Sequence, residues 1–426
     1  LMSPSTNLVP EPLPTEVDVL IVGAGLAGLA CARLLTLSGI NTHIIEASSS
    51  VGGRVKTDEM NGFLLDRGFQ VLLTSYSELK NQVDLEQLDL RAFKSGSLIR
   101  SQDQFHLLSD PIKHPSDLMS TVQARVGSLS DKTKTAILKY RLLSLRPDKC
   151  FDGPERTTQS ELERLGFSQR FIDTFFRPFL GGVYLEKSLN TSSSLFNYYL
   201  RCFSSGETTL PSGGMQRLPE LLAQDLEGRV TFNTIATHID KGKVTVQNGQ
   251  VVKAREVVLA VDEPAAAKLT KSPVNPFKSS VTAYFSTDHP PSREPILILN
   301  GENDGPVNHV AILSNVCPSY APEGMHLISV SGVDINPNEI KEFPREALKQ
   351  LRQWFGPTVE NWSYLHTYFI PFALPKHPPQ TLPDLKALNL RYDNFVRIGD
   401  STTFGSIQGA LLSGRKGAEL ILEQLD

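Results

Sequence analysis

The chain has 426 residues, 40% of them hydrophobic and 21% charged, with a formal net charge of −4. That length allows two domains with large buried cores, and the composition excludes global disorder; the slight acidity disfavours nucleic acid as a partner, because phosphate binding needs clustered positive charge. Cys31, Cys150, Cys202 and Cys317 show no C-x-x-C spacing, so neither a metal site nor a disulfide framework is expected, and a reducing, intracellular compartment fits.

Residues 1–14 are rich in Pro and Ser and read as a flexible tail, without the charged and apolar regions of a signal peptide. The chain opens on Leu1 rather than Met, as a processed or trimmed form would. Residues 17–22 form a short apolar run suited to a buried parallel strand, 23–28 read G-x-G-x-x-G, and an apolar segment of period 3.6 runs on through Leu37. In this strand, turn and helix, Gly23 makes the turn, Gly25 lets the backbone approach a pyrophosphate, and Gly28 lets the helix pack on the strand. Leu26 and Ala27 stand in the first helical turn, where free N–H groups and the positive dipole end meet phosphates.

A second β-rich run, 42–45, ends in Glu46, 18 residues after the third glycine. A carboxylate there accepts hydrogen bonds from a ribose 2′-OH and repels a 2′-phosphate, which leaves FAD or NAD. The stretch 19–37 has the length of a membrane span, but its three glycines and Arg33 fit a nucleotide site better.

Just beyond Glu46 and Ala47 lie Gly52, Gly53 and Arg54, a glycine pair and a cation that offer a long dinucleotide further donors. G-x-G-x-x-G, an acidic residue and then G-G-R resemble the signature of the flavin-containing amine oxidase, phytoene desaturase and protoporphyrinogen oxidase superfamily. The resemblance implies an α/β chain: a Rossmann-like FAD-binding domain of the glutathione-reductase type assembled from separated segments, plus an α+β substrate domain. It also implies that Gly52, Gly53 and Arg54 lie along FAD. Residues 63–73 read as strand, with a turn at Asp66, Arg67 and Gly68 followed by Phe69; relatives place a D-x-G turn here beside the isoalloxazine ring.

From about 76 to 203 the pattern turns helical, with segments at 76–88, 116–126, 131–145 and 158–179. This insertion is rich in aromatics, and Phe179, Tyr184 and Tyr198 are candidates for an apolar substrate channel. Residues 210–222 carry a glycine turn and a helix that return the chain to the nucleotide domain. Strands at 229–239, 243–246, 249–252 and 257–261 form a meander, in which Ile235 matches the position whose backbone holds the adenine in relatives. Strand-like runs at 277–285, 296–299, 310–314 and 326–333 suggest a substrate-domain sheet, followed by a helix over 344–354. Residues 362–379 are broken by prolines and read as an extended edge that delivers Tyr368 and Phe372 to the pocket.

Residues 395–400 end a strand in Gly399 and Asp400, and a glycine-punctuated helix follows over 405–422. The superfamily shows the same order of G-D and G-(S/T)-x-x-G-A. By that resemblance Ser406, Ile407, Gln408 and Ala410 join the cofactor site, with the helix N-terminus facing the flavin O2/N1 edge. The expected division is a tail over 1–14, FAD-binding parts over 15–75, 204–265 and 386–426, a helical substrate insertion over 76–203 and a substrate sheet over 266–385.

The resemblance implies an FAD-dependent oxidoreductase in which hydride passes from a substrate C–H to flavin N5, and oxygen or a quinone then reoxidises the ring. Relatives that oxidise amines usually hold a lysine near N5 on a substrate-domain strand, whereas residues 279–285 read SSVTAYF and Lys278 lies only at the margin. No cysteine follows Cys317, so FAD is expected to be noncovalent. The leading expectation is a desaturase or dehydrogenase acting on a small apolar molecule of isoprenoid or tetrapyrrole type. Amine oxidation to imine and hydrogen peroxide is the alternative, and a flavin-bound isomerase or scaffold is a third. No catalytic residue is assigned. The chain is expected to be soluble or peripheral to a membrane, and a plastid is compatible with its Ser/Lys-rich style.

Overall fold

A computed structural model describes residues 12–110 and 113–425; the expected tail lies outside them up to residue 11. The strand Glu16–Val22 is almost entirely buried from Val19 onward, as a run of β-branched and aliphatic residues covered on both faces should be. It stands at the centre of an eight-stranded sheet. Thr42–Ile45 and Val230–Thr231 follow in parallel on one side; Val251–Leu259 lies parallel on the other. Val251–Leu259 is one long strand where the sequence suggested two. Its start pairs antiparallel with Lys243–Val246, itself paired to Ala236–Asp240, and its end pairs parallel with Phe395–Arg397. A parallel core with an antiparallel meander on one strand is the Rossmann-like arrangement expected.

The helix Leu26–Leu37 packs along the helix Ile407–Leu425. Small residues make that approach close: a Cβ added to Gly414 would lie 2.4 Å from the carbonyl oxygen of Ala27. On another face Gln408 ties the helix Ile407–Leu425 to the helix Ser77–Gln82, its Oε1 accepting from the backbone N–H of Glu78 at 3.0 Å.

The second sheet has seven strands, in the order Ser363–Pro375, Phe277–Thr287, His326–Gly332, His309–Ile312, Leu297–Asn300, Gly96–Ser101, Gln104–Ser109. Ser363–Pro375 occupies the edge, as its prolines require, but it is one continuous strand whose pairing shifts register at two places, rather than a broken segment. The hairpin Gly96–Ser109 corrects the reading of 76–203 as helices and loops: Gly96–Ser101 pairs in parallel with Leu297–Asn300. The expected helix over 158–179 is also divided, into Thr158–Arg164, Gln169–Phe171, a π turn at Ile172–Phe176 and Arg177–Tyr184.

Candidate functional site

A cavity of about 1270 Å³ runs between the two sheets, larger than most single-ligand pockets. Gly23, Gly25, Leu26, Ala27, Glu46, Ala47, Gly52, Gly53, Arg54, Arg67, Gly68, Phe69, Ile235, Gly399, Asp400, Ser406, Ile407 and Ala410 all line it. Segments far apart in sequence thus meet along one wall. Two of the cofactor candidates do not reach it. Gly28 is packed against the turn, where an added Cβ would stand 2.1 Å from the oxygen of Gly23. Gln408 turns to the helix Ser77–Gln82 instead, also donating to Ser77 Oγ at 3.1 Å.

The wall fits a dinucleotide. Gly25 caps the helix Leu26–Leu37 without any side-chain hydrogen bond, and no atom lies within 4 Å of where its Cβ would be, which leaves the helix N-terminus open to a diphosphate. The carboxylate of Glu46 is fixed by the amide of Ala24 at 2.7 Å on Oε2 and by the amide and hydroxyl of Ser48 on Oε1. Arg54 spans Asp400 with two hydrogen bonds and donates a third to the carbonyl of Ala373 at 2.9 Å. Ile235 is more occupied than expected: its amide donates to Gln247 Oε1, and its carbonyl accepts from the Gln247 amide. The Ile235 amide is open to another acceptor only when the Gln247 side chain swings away, whereas its carbonyl keeps a second lone pair.

Of the five substrate-pocket candidates, only Phe179 lines the cavity. Tyr184 is buried under Lys278, whose Nζ sits 5.9 Å from its ring centre. Tyr198 packs between Phe151 and Phe404. Tyr368 donates to Asp58 at 2.6 Å, and Phe372 meets Phe277 edge-on. The apolar wall comes instead from Phe69, Phe93, Phe171, Phe175, Phe179 and Phe203. Phe171 meets Phe175 at a tilt of 31° and Phe175 stacks on Phe179, with centroids 5.4 and 5.6 Å apart. In an α-helix a four-residue step overshoots a full turn by about 40°. The wider π turn at Ile172–Phe176 undershoots it and keeps the three rings on one face. The four-residue spacing of these phenylalanines was the available signal.

Lys278 does not line the cavity. Its ammonium pairs with Glu186 at 2.8 Å and donates to Thr191 Oγ1 at 2.8 Å. His309, which sequence reasoning passed over, lines the cavity beside Phe69, ring centres 4.7 Å apart. The amide nitrogen of Asn308 donates to the carbonyl of Pro178 at 2.9 Å, so it also faces His309 Nδ1 as a donor, at 3.1 Å. The imidazole, pushed down to about 4 by burial, is therefore neutral with its proton on Nε2. That nitrogen has no partner among the described residues. Asp66, behind the turn at Gly68, is buried and accepts from Thr57 Oγ1, the Met215 amide and Tyr320; burial pushes it up to about 6.

A family model described as flavin containing amine oxidoreductase matches residues 26–422. The chain belongs to this family. Its cofactor is FAD, and the cradle just described is built from the segments that carry the family's motifs. A protoporphyrinogen oxidase 2, chloroplastic/mitochondrial, of Arabidopsis thaliana is 28% identical over 39% of this chain and 32% of its own length. The putrescine oxidase of Kocuria rosea is 25% identical over 61% of this chain and 60% of its own. The chain thus spans less than two thirds of the curated relatives it matches. The first relative's location is said of that plant protein and lends the plastid expectation no support here. Among solved structures, an oxidoreductase from Methanosarcina mazei aligns with a TM-score of 0.72 at 17% identity, covering 95% of this chain and all of that one; this shows a shared fold.

Proposed function

We propose that this family member holds FAD noncovalently and dehydrogenates a small apolar molecule of isoprenoid or tetrapyrrole type. The observation that carries this reading is the chemistry of the cavity wall. Its carboxylates are Glu46, Asp110, Asp262, Glu263 and Asp400. Four belong to segments of the nucleotide sheet, and Asp110 is paired with Lys139. Among the described residues next to the phenylalanines, no carboxylate is placed to receive a substrate ammonium, and Lys278 is paired with Glu186. The proposed cofactor residues are those expected from the sequence, less Gln408, with Gly28 acting through packing.

FAD, when bound, supplies a two-electron acceptor for a substrate C–H bond, and oxygen or a quinone is the proposed final acceptor. The chain's own residues do the rest. The phenylalanine ladder binds apolar surface and excludes water. Arg54 and Asp400 fix each other at the wall, and His309 Nε2 offers a neutral donor to one polar atom of the substrate. We propose that 15–75, 204–265 and 386–426 build the cofactor domain and that 76–203 and 266–385 form one substrate domain; the strand Gly96–Ser101 beside Leu297–Asn300 supports that union.

The test is anaerobic bleaching of the flavin in FAD-loaded protein. Reduction by apolar polyenes or reduced tetrapyrroles, with silence across amines, is the expected result. Reduction by putrescine with release of hydrogen peroxide on aeration would establish the second reading, which the match to putrescine oxidase favours.

A further inference from the structure

A second cavity, of about 470 Å³, lies among the helices of the 76–203 insertion and shares no lining residue with the larger one. It opens between the end of the helix Leu129–Ser144, the turn Pro147–Phe151, the helix Thr158–Arg164 and the start of the helix Ser193–Ser205. Its charges do not balance. Arg141, Lys149, Arg156 and Arg164 line it against Asp152 and Glu161. Glu161, almost fully buried, is shared by two guanidiniums, with Arg156 Nη1 at 2.8 Å from Oε2 and Arg164 Nη2 at 2.7 Å from Oε1. Asp152 is likewise shared, by Lys149 at 2.7 Å and Lys386 at 3.5 Å. Arg141 has no carboxylate partner among the described residues. Five cations thus meet two carboxylates, in a chain whose formal net charge is −4.

The floor adds hydrogen-bonding groups that the fold leaves idle. Ser194 is only 5% exposed and lines the cavity, yet its hydroxyl has no partner among the described residues. A buried hydroxyl without a bond is costly, and native structures rarely keep one without a use. Ser193 accepts from the amide of Arg156 at 3.2 Å and keeps its own proton free. The side-chain amide of Asn197, one turn on, has no partner among the described residues either. All three stand at the start of a helix of 13 residues, whose positive dipole end favours an anion.

We propose that this second cavity binds a small soluble phosphate monoester, with the phosphate at Arg141, Arg156, Arg164 and the Ser194 hydroxyl, and a hydroxyl-bearing body at Asn197. Guanidinium forks match phosphate oxygens two at a time, and Arg156 and Arg164 keep N–H groups beyond those given to Glu161. A phosphate alone fills a small part of the cavity, which leaves room for an organic body. The Asn197 amide both donates and accepts, as a sugar-like hydroxyl requires. The site is independent of what the flavin oxidises.

The experiment is titration calorimetry of the FAD-loaded full chain at low salt with ribose 5-phosphate, inorganic phosphate, succinate and ribose. Ribose 5-phosphate should bind at one site per chain, at least about tenfold tighter than inorganic phosphate or succinate, with ribose silent and the affinity falling as salt rises. Arg141→Gln removes an exposed, unpaired cation and Ser194→Ala a single hydroxyl, so both variants should keep flavin content and melting temperature. Each should weaken ribose 5-phosphate by at least about tenfold. No saturable binding to wild type, or undiminished binding to both variants, would overturn the proposal. So would succinate binding as tightly as ribose 5-phosphate. Binding confined to protein stripped of FAD would overturn it too, because the phosphate would then sit in the dinucleotide cradle.

Discussion

Arg54 and Asp400, 346 residues apart in sequence, close a two-point ion pair at the cavity wall, Nη1 to Oδ2 at 3.0 Å and Nη2 to Oδ1 at 2.5 Å. The guanidinium is more than a third exposed while the carboxylate is nearly buried, so most of the cost of breaking the pair falls on Asp400. Arg54→Ala should lower stability by roughly 1–3 kcal/mol and release FAD during gel filtration. Arg54→Lys should restore only part of both, since an ammonium cannot span two oxygens in the same way. Full flavin retention in Arg54→Ala, measured by absorbance at the flavin band, would remove the pair from the cofactor site.

Gly25 and Gly28 sit three residues apart yet should fail differently. A side chain at Gly25 meets open cavity, whereas one at Gly28 meets the oxygen of Gly23. Gly25→Val is expected to fold with a near-normal melting temperature and bind no FAD. Gly28→Val is expected to lose stability by several kcal/mol before any cofactor is added, as overpacking against backbone does (on the order of 3 kcal/mol). Circular dichroism melts of the apo proteins separate the two.

Shortening the phenylalanine ladder tests the substrate wall. Phe179→Ala should raise KM for an apolar substrate by roughly 10-fold to 100-fold through lost apolar contact, leaving flavin content unchanged. An unaltered KM would place the substrate elsewhere in the cavity.

Asp66 sets a pH signature. Its carboxyl is raised from 3.8 to about 6, so the native state holds that proton more tightly than the unfolded chain. The resulting stability is full below about pH 4 and is lost as pH rises through 6. His43, His309 and His377 run the other way: burial lowers each to about 4, so the fold weakens as pH falls from about 6.5 to 4. Asp66→Asn keeps an oxygen for Thr57 and the Met215 amide. Its stability relative to wild type should therefore improve from pH 4 to pH 7, by on the order of 2 kcal/mol. Paired thermal melts across that range check the sign.

What the sequence revealed followed the reach of each signal. Glycine turns, the run into Glu46 and the Gly399–Asp400 step are local, and they mark residues that line the cavity where we propose the cofactor binds. The hairpin Gly96–Ser109 escaped notice because it carries polar side chains such as Arg100, Gln104 and His106, and its parallel partner lies 200 residues downstream. Tyr184 and Tyr198 were plausible wall residues by composition, but the face a helix presents depends on packing, and here a π turn selected Phe171, Phe175 and Phe179. His309 carried no sequence pattern at all. Its importance comes from a neighbour, Asn308, whose amide fixes the ring's tautomer.

The long strand Val251–Leu259 receives Phe395–Arg397 along its final residues, and Gly399 and Asp400 follow directly. During synthesis the proposed flavin cradle therefore lacks one side until residues 395–400 have left the ribosome. Nascent chains arrested upstream of residue 395 would display an unpaired sheet margin, a natural handle for chaperones, and holoenzyme yield should track how long that margin is shielded.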